Sequence, residues 1–158
     1  MMSVMVRVAE RQDLAGVGVL AGQLVRQHHG FDAQRFMLVP NVEEGYARFF
    51  AGELADPDAL ILVAERAGRI EGYAYARLEP RDWNQLLDAC GALHDIFVSD
   101  QLRRQGVARR LVEEVRERFR TRGAPRLVLH TASKNDTARR FFASLGFRET
   151  MVELTAEL

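Results

Sequence analysis

The chain has 158 residues, enough to bury a single sizeable core, and reads as one domain over residues 1–158. Its 22 basic and 22 acidic residues cancel, which argues against a general nucleic-acid or anionic-membrane surface. The lone Cys90 excludes an internal disulfide framework and a thiolate zinc cluster; no apolar run reaches the ~20 residues that span a bilayer, and Met1 to Arg7 lacks the basic-then-apolar pattern of a leader, so a cytoplasmic protein is the default expectation.

Val4 to Ala9 is short and apolar, a predicted first strand, and Asp13 is placed to cap the helix that follows. In that helix Leu14, Val17, Ala21, Leu24, Val25 and His28 recur at helical spacing, while Gly16, Gly18 and Gly22 weaken it by up to about 1 kcal/mol each. His28-His29-Gly30 ends it. A second helix is expected from Asn41, with Glu44 three residues on as in a capping box. Asp56-Pro57-Asp58 is a turn. Ala59 to Glu65 and Ile70 to Leu78 form a predicted hairpin, followed by a loop from Glu79 to Ala89.

The segment from Leu93 to Val112 is a strand, a basic turn and a helix. A polar pair, His94-Asp95, sits inside the otherwise apolar strand; strand alternation predicts that the two side chains point to opposite faces. Val107, Leu111, Val112, Val115 and Phe119 share one helix face. Between strand and helix runs Arg103-Arg104-Gln105-Gly106-Val107-Ala108, where Gly106 and Ala108 leave room for a ligand at the main chain. The first amides of a helix lack internal partners and carry partial positive charge, so a phosphate or pyrophosphate suits this turn. There is no Gly-Lys-Ser/Thr of a Walker loop and no Gly-x-Gly-x-x-Gly. Gly123 and Pro125 stop the helix, Arg126 to Thr131 is a further strand, and a last helix carries Ala138, Phe141, Phe142 and Leu145. Gly146 is placed at its C′ position with Phe147 as apolar contact, and Phe147 to Leu154 reads as a closing strand. The sum is a mixed, mainly antiparallel twisted sheet covered on both faces, of α/β or α+β type.

The pattern Arg103-x-x-Gly106-x-Ala108 after an apolar strand resembles the acyl-CoA pyrophosphate loop of the GNAT N-acetyltransferase superfamily. Asn135-x-x-Ala138-x-x-Phe141-Phe142-x-x-x-Gly146-Phe147 resembles that family's second signature, although a capped amphipathic helix alone would also account for it. The two stand about thirty residues apart, with one helix and one strand between them, as the family places them. The resemblance implies about six to seven strands, four helices, and acetyl-CoA as co-substrate. It implies that the main chain of Ile96, Phe97 and Val98 binds the pantetheine arm like an added strand, where the central strand splays from its neighbour. It also implies that amides from Arg104 through Gln105, Gly106, Val107 and Ala108 to Arg109 hold the pyrophosphate, with Arg103 opening the motif. Asn135 is then expected to contact the cofactor arm, Ala138 to leave room beside it, Phe141 to pack in the core, and Phe142 to lie near the thioester sulfur.

Acetyl transfer to an amine needs a base, an oxyanion donor and a leaving thiolate. The Val98 amide, as in the family, is the donor. His94 is the leading base, acting through a water, because imidazole ordinarily titrates near neutrality; Asp95 is either structural or the acidic partner. The family usually has a tyrosine where Phe142 stands, and that tyrosine protonates the thiolate. Phenylalanine cannot, so another group or water does, or the thiolate leaves unprotonated. A non-catalytic acyl-CoA-binding sensor is the alternative. The acceptor pocket is expected from the first two helices and the Glu79–Ala89 loop, with His28, His29, Asp32, Glu43, Tyr46, Asp82 and Trp83 as candidates beside His94. No metal is expected, since neighbouring helical histidines point apart and no third ligand is evident. The acceptor is a small-molecule or peptide amine, nucleic acid is a distant third reading resting on Arg103, Arg104, Arg109 and Arg110, and the closing strand with Met151-Val152 is placed to pair across a homodimer.

Overall fold

A computed structural model describes residues 3–158, so Met1 and Met2 of the chain start lie outside the described residues. Its sheet comprises β1 (Met5–Val8), β2 (Ala59–Arg66), β3 (Arg69–Glu79), β4 (Cys90–Val98) and β5 (Leu127–Leu129), in spatial order β1-β2-β3-β4-β5. The first three pairings are antiparallel and β4–β5 is parallel. A parallel neighbour needs a crossover, and α3 (Val107–Thr121) supplies it. The other helices are α1 (Leu14–Phe31), α2 (Val42–Glu53) and α4 (Asp136–Ser144).

The four helices and mainly antiparallel sheet match the expected class, but the described residues hold five strands rather than six or seven. Two expectations fail at the C-terminal end. The strand expected over Arg126–Thr131 shrinks to three residues, and the closing strand expected over Phe147–Leu154 is absent: that segment carries no regular structure. Met151, Val152 and Leu154 are exposed there, so the apolar alternation that signals a strand has no partner to bury it.

Period-two alternation distributes the strand side chains to two cores. Leu62, Ala64, Ala74, Ala76, Leu93 and Val98 face α3 and α4, where Leu111, Val112, Val115 and Phe119 are buried. Ile61, Val63, Tyr73, Tyr75 and Phe97 face α1 and α2, against Val17, Leu20, Ala21 and Phe50. The glycines of α1 find their reason on this second face. A Cβ on Gly18 would stand 2.5 Å from the Glu43 carbonyl oxygen, and one on Gly22 2.7 Å from Glu43 Oε1. These positions let the first turn of α2 press against α1, which seats α2 over the middle of the sheet.

Two helix starts differ from expectation. Asp13 does not cap α1; a 3₁₀ turn over Arg11–Asp13 precedes it, and the buried Asp13 carboxylate takes two bonds from the Arg7 guanidinium and one from the Glu10 amide. Asn41 precedes α2 in a left-handed conformation (φ 56°) without a side-chain cap, so the capping box is not formed. The end of α4 is as read: Gly146 has φ 88°, the Phe147 amide donates to the Phe142 carbonyl at 3.0 Å, and the two rings meet edge-on at 5.5 Å.

Candidate active site

Strands β4 and β5 pair only from Gly91–Leu127 to Leu93–Leu129. Beyond that point β4 continues alone on this side for five residues, still paired to β3 through Gly72–Val98. The Ser99 amide donates to the Glu71 carbonyl of β3 (2.8 Å), which fixes the alternation of main-chain groups along β4. The groups of Phe97 therefore turn to β3, while those of Ile96 and Val98 turn to the open side. The resemblance assigned Ile96, Phe97 and Val98 alike to a strand-like ligand; in this register the Phe97 groups are taken up by β3 and those of Ile96 and Val98 are not.

The open edge leads straight to the basic turn. Gly106, in the left-handed region at φ 76°, precedes α3 without a side-chain cap, and a Cβ placed there would meet nothing within 4 Å. Among the described residues, no amide from Arg104 through Gln105, Gly106, Val107 and Ala108 to Arg109 donates a hydrogen bond; the first to do so is Arg110, to the Gly106 carbonyl at 3.1 Å. These free donors, at the positive end of a fifteen-residue helix, form an anion cradle not filled by its own side chains. Three of the basic side chains around it are engaged by other groups. Arg103 bonds the Val98 carbonyl at 3.2 Å and Asp100 at 2.8 Å, Arg109 lies near Glu113, and Arg110 reaches the Val4 carbonyl. Arg104, exposed at φ 63°, is the remaining arginine of the turn, beside the main-chain donors.

On the opposite, α1–α2 face of β4 lies a pocket of about 360 Å³ lined by Tyr46, Phe49, Tyr75, Arg77, Glu79, His94 and Asp95. The register explains how two adjacent strand residues reach it together. Tyr75 pairs with Asp95 and Ala76 with Leu93, so His94 is the extra residue of a bulge. The expectation that Asp95 points away from His94 is corrected: the bulge cancels one step of the alternation, and both side chains face the pocket. His94 Nε2 lies 2.8 Å from Glu79 Oε1, and its ring tilts over Tyr75 at 5.5 Å. Asp95 accepts a 3.0 Å hydrogen bond from the Tyr73 hydroxyl. Burial pushes the Asp95 carboxyl up from the ordinary carboxylate range, opposed by the Tyr73 bond and by His94 and His28. Burial, then the Asp95 charge, raises the Tyr46 phenol in turn.

Tyr46 and His94 are the acceptor-site candidates that the fold brings together. The others have local duties. His28 and His29 place their Nδ1 atoms 2.9 and 2.8 Å from the carbonyls of Leu24 and Phe36, organising the end of α1. The Asp32 and Asp82 carboxylates accept amide bonds within their own turns. Glu43 pairs with Arg26 at 2.6 Å. Trp83 is three-quarters exposed with Arg81 beside it, outside the pocket. Four lining residues were not among the candidates. Tyr75, Arg77 and Glu79 alternate along β3, so the period that puts Tyr73 on the α1–α2 face carries them too; Phe49 follows from the helical spacing Tyr46–Phe49.

Asn135 caps α4, its Oδ1 accepting from the Ala138 amide at 3.1 Å. Phe142 is buried between Phe141 and Phe147, in edge-on contact with both.

Comparison with known proteins then settles the family. The model of the acetyltransferase (GNAT) family matches residues 26–147, which contain both motifs, the bulged β4 and the anion cradle. The chain belongs to the GNAT acetyltransferase family. Among proteins of curated function none matches the sequence. Solved structures resemble it in fold. The BH1408 protein of Bacillus halodurans, as a tetramutant, is 20% identical with a TM-score of 0.85, covering 98% of this chain and 99% of its own. Aminoglycoside N-acetyltransferase AAC(6')-Iy in complex with CoA is 20% identical with a TM-score of 0.81 (100% and 96% covered). Glucosamine-6-phosphate N-acetyltransferase of Arabidopsis thaliana is 18% identical with a TM-score of 0.72 (98% of each).

The family's acyl donor, acetyl-CoA, fits the residues present. The cradle's unpartnered amides suit its diphosphate, and the unpaired β4 edge offers the Ile96 main chain and the Val98 amide to its amide-bearing arm, the Val98 carbonyl being bonded by Arg103. The protein is an acyltransferase with acetyl-CoA as co-substrate. The unpaired edge of β4 and the pocket over its α1–α2 face share this one strand.

Proposed function

We propose that the protein moves the acetyl group of acetyl-CoA to a primary amine of a small molecule or peptide seated in the pocket over His94 and Asp95. The observation that carries this reading is the β4 bulge, which turns an imidazole and a buried carboxylate into one aromatic-walled pocket beside the open strand edge. An ammonium entering between Tyr46, Phe49 and Tyr75 meets ring faces and carboxylates, both of which favour a cation. It gives up a proton, through a water, to the His94 imidazole. The neutral nitrogen then bonds to the acetyl carbonyl carbon while the Val98 amide supports the oxyanion. The carbon–sulfur bond breaks, the electron pair leaves on the thiolate, and the second amine proton is lost to solvent.

Phe142 supplies no proton to the thiolate, and thiolate departure without one is tolerable because a thiol of pKa about 8.5 is a fair leaving group. The same Phe142 motivates the second reading, a non-catalytic acyl-CoA-binding sensor. Release of free CoA from acetyl-CoA over a panel of amines decides between them. The panel includes amino sugars, because two neighbours of this fold are named for aminoglycoside and glucosamine-6-phosphate acetylation. Release with any amine, from the unaltered protein, rules out the sensor; tight acetyl-CoA binding without release for every amine rules out the enzyme. The same proposal has the chain working as one domain over 1–158, in the cytoplasm, as a homodimer, without nucleic acid or membrane partners. No helix among the described residues is long and apolar enough to cross a membrane.

A further inference from the structure

We infer that Glu79 is a positioning residue that sets which nitrogen of His94 carries the hydrogen, an inference that rests on His94 being the proton acceptor. Glu79 is the last residue of β3 and His94 the bulged residue of β4; they are not register partners, since Glu79 pairs with Cys90. Without the bulge His94 and Asp95 would point to opposite faces. With it, Nε2 comes within 2.8 Å of Glu79 Oε1. A carboxylate only accepts, so Nε2 is the N–H of the neutral ring and Nδ1 keeps its lone pair. Among the described residues Nδ1 has no hydrogen-bond partner, which leaves it to take a proton from an incoming water. Tyr75, tilted 30° beneath the ring, restricts its rotation.

Glu79 is itself held. Arg77 Nε stands 3.7 Å from the same Oε1, while the rest of that guanidinium is bound by Glu53 and Asp56 of the α2 end. The arrangement is a carboxylate–imidazole pair braced from behind, in the order Asp56/Glu53, Arg77, Glu79, His94. The other charged or titratable groups turned toward the imidazole are Asp95 on β4, Tyr75 on β3, Tyr46 on α2 and, at longer range through Asp95, His28 on α1. None of these accepts a hydrogen from the ring, so the tautomer is the business of Glu79.

The test compares Glu79→Gln, Glu79→Asp, Glu79→Ala and His94→Ala, all in the full chain. Nitrogen-15 NMR of labelled histidine reads the His94 tautomer without substrate, and kcat and KM are followed against pH with the best amine. The unaltered protein should show His94 as the Nε2–H form. Glu79→Gln and Glu79→Ala should mix the tautomers, lower kcat 10–100-fold, the range typical of groups that orient another ligand, and displace the acidic limb of the kcat profile; Glu79→Asp should restore part of each. A wild-type tautomer and an unmoved pH profile in Glu79→Gln, with only KM raised, would mean that Glu79 binds the amine instead and would overturn the inference. Wild-type kcat in His94→Ala would remove the base assignment and this inference with it. A dead His94→Ala beside a fully active Glu79→Gln would remove the inference alone.

Discussion

Leu93 and Leu129 are the last residues at which β4 and β5 lie side by side. Past them the Val98 amide points away from β3 and makes no sheet bond, whereas the Phe97 amide belongs to the β3 ladder. Proline tests this difference because it deletes an N–H. Val98→Pro should leave a folded protein, since no ladder bond is lost, but should lower kcat by about 100-fold, the usual effect of losing one oxyanion donor. Phe97→Pro should fail to fold. Thermal denaturation and CoA-release assays check both; a folded Val98→Pro with unchanged kcat would contradict the role given to that amide.

Gly106 holds the anion cradle open at φ 76°, where a β-branched residue is strained. Gly106→Val should pull the turn toward negative φ, swing the amides of residues 106–108 off their common focus, and weaken acetyl-CoA binding by 10-fold or more in calorimetry. Arg104→Ala, also at a positive-φ position, should bind as well or nearly so, because the charge here is supplied by amides and the helix end. A larger loss in Arg104→Ala than in Gly106→Val would mean that side chains, not main chain, do the binding.

The sequence displays the cradle and not the pocket, and the reason is physical. Gly106, Ala108 and the helix that follows are local features whose meaning does not depend on distant residues. The pocket depends on register. One extra residue in β4, His94, turns Asp95 from one face to the other, and nothing in Leu93-His94-Asp95-Ile96 announces a bulge. Likewise His28, His29 and Trp83 carry suitable chemistry but are placed by turn contacts made only in the folded chain. Phe147 to Leu154 failed as a strand for the complementary reason: its pattern is strand-like, but strands form only where an edge receives them.

Acid stability should depend on Asp13. Its carboxyl is held below the usual range, first by the Arg7 guanidinium, which outweighs the upward push of burial. A depressed folded value means that the unfolded chain binds protons more readily, so stability rises with pH there. The contribution is complete above the ordinary aspartate pKa of about 4 and disappears as pH falls through the lower folded value. Asp13→Asn should therefore cost about 2 kcal/mol at pH 7, as for hydrogen bonds to charged groups, with the cost shrinking toward pH 2. Urea denaturation at pH 7, 4 and 2.5 measures this; a cost independent of pH would point to packing rather than charge.

The glycines of α1 divide into two kinds with opposite signs. Gly18→Ala puts a methyl 2.5 Å from the Glu43 carbonyl oxygen, a backbone atom that moves only if α2 moves. Overpacking of this sort costs about 1–3 kcal/mol, of which the better helix propensity returns about 1. Gly30→Ala meets nothing within 4 Å and should stabilise by roughly 0.4–1 kcal/mol. Melting temperatures should move in opposite directions, and Gly18→Ala should also raise KM for the amine, because Tyr46 and Phe49 ride on the displaced helix.

The C-terminal tail carries the last prediction. Val152, Leu154, Ala156 and Leu158 alternate with Glu153, Thr155 and Glu157, a period-two pattern whose apolar members are exposed. Its start is fastened by Glu149 to Arg139 at 2.6 Å, and further on Glu153 pairs with Arg35 in the connection that also exposes Met37, Leu38 and Val39. Isolated strands are not stable in water, but two antiparallel copies of this segment would pair their main chains and share one apolar face. Burying it in a homodimer should make the mass in sedimentation concentration-dependent. Leu154→Glu, which places a charge on the apolar face without touching either ion pair, should give a monomer with normal acetyl-CoA affinity. An unaltered protein that sediments as a monomer at 100 μM, indistinguishable from Leu154→Glu, would show that the tail's alternation serves no second copy.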